Sequence, residues 1–130
     1  MGKALLIIDD DEVFVRMYQS LLENHGYKVS TAWNGEEGLT KALHEHPDLI
    51  LLDIRMPKMD GMTMLKHLRT DSWGRDARVI ILSNLDANDQ ILRGIIEQSP
   101  SYYLLKANNR PETVLEHIKE MLEEENQKNG

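Results

Sequence analysis

Short apolar runs, separated by stretches of helical periodicity, constrain this chain more than any other feature. Ala4–Ile8, Leu49–Leu52, Val79–Leu82 and Tyr102–Leu105 are apolar throughout. Continuous runs of this length suit strands buried on both faces of a parallel sheet, whereas half-exposed strands alternate. A further run, Tyr27–Ala32, mixes Lys28, Ser30 and Thr31 with apolar residues, which predicts a strand at the sheet edge.

Helical patterns fill the intervals. Val13, Met17 and Leu21, flanked by Phe14, Tyr18 and Leu22, predict a broad helical stripe ending at Gly26. Leu39, Ala42 and Leu43 predict a second helix closed by Pro47, and Met64, Leu65 and Leu68 a third. Ile91, Leu92, Ile95 and Ile96 predict a fourth, with Gly94 inside it. The fifth begins near Pro111, with Asn109 as its expected cap, and turns Val114, Leu115, Ile118, Met121 and Leu122 to one face. Strict alternation of five strands with five helices implies right-handed crossovers and an α/β domain with helices on both faces of a parallel sheet. We expect that domain over residues 1–125, a polar tail over 126–130, and no appended output module.

Composition narrows the function. The 130 residues contain 15 Lys and Arg against 22 Asp and Glu, a formal charge of −7, and no cysteine. Disulfides and thiolate metal centres are thereby excluded. Nonspecific attraction to nucleic acid or an anionic membrane is disfavoured. No run approaches the ~20 apolar residues of a membrane span. Leu5–Ile8 is too short for a signal-peptide core, and Leu6 stands where a Gly2 myristoylation motif needs Ser or Thr. A cytoplasmic protein is expected.

The polar residues that punctuate the strands carry the chemistry. Asp9, Asp10 and Asp11 follow the first run, Asp53 the third, Ser83 the fourth and Lys106 the fifth. Open α/β sheets bind ligands beyond the carboxyl ends of their strands. If the first and third strands are neighbours, Asp9, Asp10 and Asp53 meet there. Clustered carboxylates answer their repulsion with raised pKa values or a bound cation. Oxygen donors without His or Cys favour Mg²⁺ over zinc. With Lys106 to steer a phosphoryl group and Ser83 to donate to it, this is a phosphoryl-transfer set with Asp53 as candidate nucleophile. Taken singly, each residue has an ordinary reading: aspartates cap helices and suit turns. The inference rests on their joint placement.

These residues resemble the receiver domain of response regulators, the phosphoacceptor half of two-component signalling. The most specific stretch runs from Leu51 to Gly61, where Asp53-Ile54-Arg55-Met56-Pro57-Lys58-Met59-Asp60-Gly61 matches the family's Asp-x-x-Met-Pro-x-Met-Asp-Gly signature. The resemblance extends from Leu5 to about Leu122 and implies the flavodoxin-like sheet order 2-1-3-4-5. It implies that Asp53 accepts a phosphoryl group from a phosphohistidine of a sensor histidine kinase or a histidine phosphotransfer protein. Asp10, Asp53 and the main-chain carbonyl of Arg55 would ligate Mg²⁺, with Asp9 acting through water. Ser83 and Lys106 would bind the phosphoryl oxygens, and Tyr103 takes the aromatic switch position. Arg55 and Leu85 occupy positions that tune acyl-phosphate lifetime. An unidentified downstream protein would read the face of helix 4, strand 5 and helix 5. The implied protein is a stand-alone regulator, not an enzyme.

Departures from the family pattern are local. Ala107 follows Lys106 where proline is usual, and a cis peptide without proline costs about 2.5–4 kcal/mol, so the loop is expected to be trans or strained. Asn84 replaces the small residue after Ser83, and Ser99-Pro100-Ser101 replaces a Gly-Ala pair. Two other readings remain. Asp9-x-Asp11-x-Val13, Ser83 and Lys106 also fit three motifs of haloacid-dehalogenase-like phosphatases, although Ala107-Asn108-Asn109-Arg110 lacks the fourth, acidic one. Asn84 and Ala107 would also suit a pseudo-receiver that binds partners without phosphorylation. His44, His46 and the methionines at 56, 59, 62 and 64 read as surface, loop and core residues, and Trp33 and Trp73 have no assigned chemistry.

Overall fold

Successive side chains of a strand point to opposite faces, so a continuously apolar strand must feed two cores at once. The computed structural model, which describes residues 2–84, 93–94 and 97–129, has this arrangement. β1 (Ala4–Ile8), β2 (Lys28–Ala32), β3 (Leu49–Leu52), β4 (Val79–Ser83) and β5 (Tyr102–Leu105) form one parallel sheet. Its order is β2-β1-β3-β4-β5, with the polar strand at one edge, as expected from the sequence.

Leu6, Ile8, Ile50, Leu52, Val79 and Ile81 face one layer, where α3 (Gly61–Thr70) supplies Met64, Leu65 and Leu68 and α2 (Gly35–Glu45) supplies Ala42. Leu5, Ile7, Leu49, Leu51, Ile80 and Leu82 face the other, against α1 (Glu12–Asn24) and the C-terminal helix (Pro111–Asn129). Asp11, Asn34 and Asp60 start α1, α2 and α3, each accepting an N–H from the first turn. Gly26, at φ +90°, follows the end of α1. His46, at φ 51°, ends α2 and stacks on Trp73 with ring centroids 4.3 Å apart.

Three details differ from expectation. The buried side of α1 is Val15, Tyr18 and Leu22, while Val13 is 80% and Met17 44% exposed. The apolar stripe is thus wider than the face the sheet covers. Asn109 does not cap the last helix: Arg110, whose carbonyl accepts the Thr113 and Val114 N–H groups, holds the cap position, and the Asn109 amide donates to the Leu105 carbonyl at 2.9 Å. That helix continues to Asn129, in keeping with the helix propensity of Glu, Gln and Lys. The predicted fourth helix falls largely on residues 85–92 and 95–96, outside the described residues, and Arg93, Gly94 and Glu97 are helical. The described residues contain no cis peptide bond, and none of their helices is long and apolar enough to cross a membrane.

At the end of the sheet away from the acidic residues, Arg69 joins three segments. Its guanidinium donates to the carbonyls of Gly74, Ala77, Gln98 and Ser99 at 2.7–3.0 Å. Burial pushes its pKa down, but a guanidinium stays charged. Arg69→Met is expected to lower the unfolding free energy by about 1–3 kcal/mol in urea titrations, because four carbonyls lose their donor. Arg69→Lys should recover less than half of this, since one ammonium cannot span the fan.

Candidate functional site

The parallel register sets the site. Ile8 pairs with Leu52, so the next residues of the two strands, Asp9 and Asp53, emerge side by side. The Asp53 N–H donates to the Ile8 carbonyl at 2.9 Å, and the Asp9 N–H to that of Ala32 at 3.0 Å, which carries strand-like pairing past the strand ends. Asp9 is 2% exposed and Asp53 7%, while Asp10 is exposed at the mouth. Carboxylate oxygens of Asp9, Asp10 and Asp53 lie within 4.8 Å of one another.

Three further elements complete the surroundings. Ser83, the last residue of β4, hydrogen-bonds the Asp53 side chain. The Ile54 N–H donates to Asp53 Oδ1 at 2.9 Å. Lys106 opens a short 3₁₀ turn after β5 and places Nζ 2.6 Å from Asp9 Oδ2, with its side chain only 11% exposed. Asp9 Oδ1 accepts the Asp11 N–H at 3.0 Å, so both oxygens of Asp9 are engaged. A cavity of about 510 Å³ opens over these groups, with Asp11, Arg55 and Asn84 also on its walls.

Burial is the main force raising the pKa of both inner carboxylates. For Asp9 the Lys106 ammonium and the Asp11 N–H oppose it. For Asp53 the negative charge of Asp9 adds to it, and Lys106, Ser83 and the Ile54 N–H pull the other way. Hard oxygen donors in this number suit a divalent cation such as Mg²⁺.

The residues singled out in the sequence therefore converge, with two exceptions. Tyr103 is half-buried against the core layer of Leu6 and Ile8 and does not line the cavity. Leu85 lies outside the described residues. Asn84 is exposed, so it stands at the rim and does not seal Asp53. The loop after Asp53 is held by two glycines not picked out individually in the sequence. The Gly35 N–H donates to Met59 O at 2.9 Å and the Gly61 N–H to Ile54 O at 2.7 Å. A Cβ on Gly35 would collide with the Met59 carbonyl, and one on Gly61 with that of Asp53. Phe14 was also missed: its ring lies under the Lys106 ammonium, 3.9 Å from Nζ to centroid. No local pattern signals such a contact between residues so far apart in the chain.

The family model for the response regulator receiver domain matches residues 5–126. The chain belongs to the response-regulator receiver family. This receiver is 37% identical to the response regulator PleD of Caulobacter vibrioides over 106 residues, which are 82% of this chain and 23% of PleD. The chain thus spans less than a quarter of that relative. It superposes on a CheY-like receiver domain from Methanospirillum hungatei with TM-score 0.87 at 30% identity, covering all of both chains. A CheX–CheY–BeF₃–Mg complex from Borrelia burgdorferi contains a chain matched at TM-score 0.80 and 28% identity, over 90% of this chain and 87% of that one.

The receiver's inner carboxylates set a pH dependence. A carboxyl whose folded-state pKa is raised above its ordinary 3.8 is bound by its proton more tightly when folded, so its ionisation costs stability as pH rises through the folded value. In metal-free buffer Asp53→Asn is expected to raise the melting temperature near neutral pH. The gain should fade as pH falls toward the ordinary carboxyl value of 3.8 and the inner carboxyls take up protons. Equal melting temperatures near neutrality would contradict the repulsion.

Proposed function

We propose that this receiver takes a phosphoryl group onto Asp53 from the phosphohistidine of a sensor histidine kinase or histidine phosphotransfer protein and signals by protein contact. The observation that carries this reading is the meeting of Asp9, Asp10 and Asp53 within 4.8 Å, with Lys106 already paired to Asp9. The Ile54 N–H holds Oδ1 of Asp53, so we assign Oδ2 as the nucleophile. Oδ2 forms a bond to phosphorus, the P–N bond to the donor imidazole breaks, and its electron pair leaves on that nitrogen.

The donor set fits Mg²⁺. Asp10 and Asp53 would hold it with the main-chain carbonyl of Arg55, and Asp9 would act through water, in keeping with both its oxygens being engaged. Mg²⁺, when bound, supplies charge neutralisation between the carboxylates and an incoming phosphate. Lys106 and Ser83 receive the phosphoryl oxygens, and Arg55 at the rim shields the acyl phosphate from water, a role we extend to Leu85. Tyr103, on β5, couples the site to the surface of the predicted fourth helix, β5 and the C-terminal helix, where a downstream protein would dock. The complex named for the Borrelia burgdorferi structure, which joins a CheY to CheX with BeF₃ and Mg, supports a phosphoryl-linked protein contact here. We read this receiver as acting in the cytoplasm through protein contacts, without turning over substrate or binding nucleic acid or membrane.

Two outcomes test this. A small phosphodonor such as acetyl phosphate should label the protein with one phosphoryl per chain, only with Mg²⁺ and not in Asp53→Asn. Sustained turnover of a phosphomonoester would instead favour a phosphatase, and no labelling an unphosphorylated interaction module. Mg²⁺ at a hundredfold excess over its dissociation constant should stabilise the fold by about 2.7 kcal/mol. An unchanged melting temperature across a magnesium titration contradicts the metal site.

A further inference from the structure

The contact between Lys106 and Phe14 has a consequence for the phosphoacceptor reading, on which it rests. The Lys106 ammonium has two partners: Nζ is 2.6 Å from Asp9 Oδ2 and 3.9 Å from the centre of the Phe14 ring. The ring reaches that position through local structure. Asp11 caps α1 by accepting the Phe14 N–H at 3.2 Å, which fixes Phe14 in the first turn, within reach of Lys106. Buried Tyr18, one turn further on, backs the ring at 4.7 Å between centroids.

The two partners hold the ammonium differently. The carboxylate contact is directional and tied to one oxygen. The ring face attracts a cation over its whole area, and the attraction strengthens when water is excluded, as around this lysine. A lysine side chain is otherwise a flexible four-carbon stem that loses considerable freedom when held at one point. A phosphoryl group on Asp53 would bring new oxygens near the ammonium, which has three N–H donors to share among them and Asp9 Oδ2.

We propose that Phe14 is a positioning residue for Lys106: its ring is the rest on which the ammonium sits beside Asp9, and across which it moves to the phosphoryl group on Asp53. The ring keeps the charge in the site in both states. Removing its π face while keeping its apolar bulk should slow phosphoryl uptake without unfolding the protein.

Phe14→Leu and Phe14→Tyr separate this from simple packing. In the unmodified protein, lysine-selective NMR should show the Lys106 ε-methylene protons shifted upfield by the ring, identified by their disappearance in Lys106→Ala. That shift should persist in Phe14→Tyr and vanish in Phe14→Leu. Labelling by acetyl phosphate and affinity for beryllofluoride should fall about three- to tenfold in Phe14→Leu and be largely restored in Phe14→Tyr. Ordinary Lys106 shifts in the unmodified protein, or Phe14→Leu labelled as fast as the parent, would overturn the proposal. Equal slowing in both variants would also overturn it, since that indicates packing alone. If the parent shows the upfield shift but takes no phosphoryl group and no beryllofluoride, the phosphoacceptor reading falls instead, while the resting contact stands.

Discussion

The parallel pairing of β1 with β3 is the constraint from which the site follows. Once Ile8 lies beside Leu52, the aspartates after them are neighbours whatever their charges prefer. Two like charges ~4 Å apart repel by about 4 kcal/mol at an effective dielectric near 20. Two apolar layers, one on each face of the sheet, supply the cohesion that holds the strands in register against this repulsion. The remaining groups moderate it. Lys106 and the Asp11 N–H occupy both oxygens of Asp9, while Ser83 and the Ile54 N–H attend Asp53. Asp10, exposed at the mouth, completes a donor set for a hard cation.

Around that cluster, the two ends of the sheet are built differently. At the acidic end, loops are fixed by close backbone approaches. Gly35 and Gly61 anchor the segment from Ile54 to Asp60, and Lys58 within it takes φ 67°. That segment carries Arg55 and hence the carbonyl assigned to the metal. At the opposite end Arg69 gathers four carbonyls from the turn after α3 and from the stretch that leads into β5. The start of β5 is thereby tied to α3, and four residues after Ser99 the strand bears Tyr103. The same chain then delivers Lys106 to the cavity.

Much of this was legible in the sequence, for identifiable reasons. Continuous apolar runs such as Leu49–Leu52 report burial on both faces, and the mixed run ending at Ala32 reports an edge. Aspartates placed directly after strands mark the carboxyl end of the sheet. The order of the strands came from the receiver-family signature around Asp53, because periodicity alone cannot order them. Rotation of α1 was not legible: Val13, Phe14, Met17, Tyr18, Leu21 and Leu22 spread over about half the helix circumference, and only packing selects Val15, Tyr18 and Leu22. Asn109 looked like a cap, but its amide reaches back to Leu105. The rest beneath Lys106 was invisible because it joins residues at opposite ends of the chain.

The central claim is that Asp9, Asp10 and Asp53 form one divalent-cation pocket at the end of β1 and β3. Paramagnetic Mn²⁺, titrated into the ¹⁵N-labelled protein, reads its location directly. The account predicts selective broadening of the amide signals of Asp10, Asp53, Ile54 and Arg55 at low Mn²⁺, reversed by excess Mg²⁺. Broadening centred elsewhere, such as on the acidic stretch at Glu123, or none at any concentration, would contradict it.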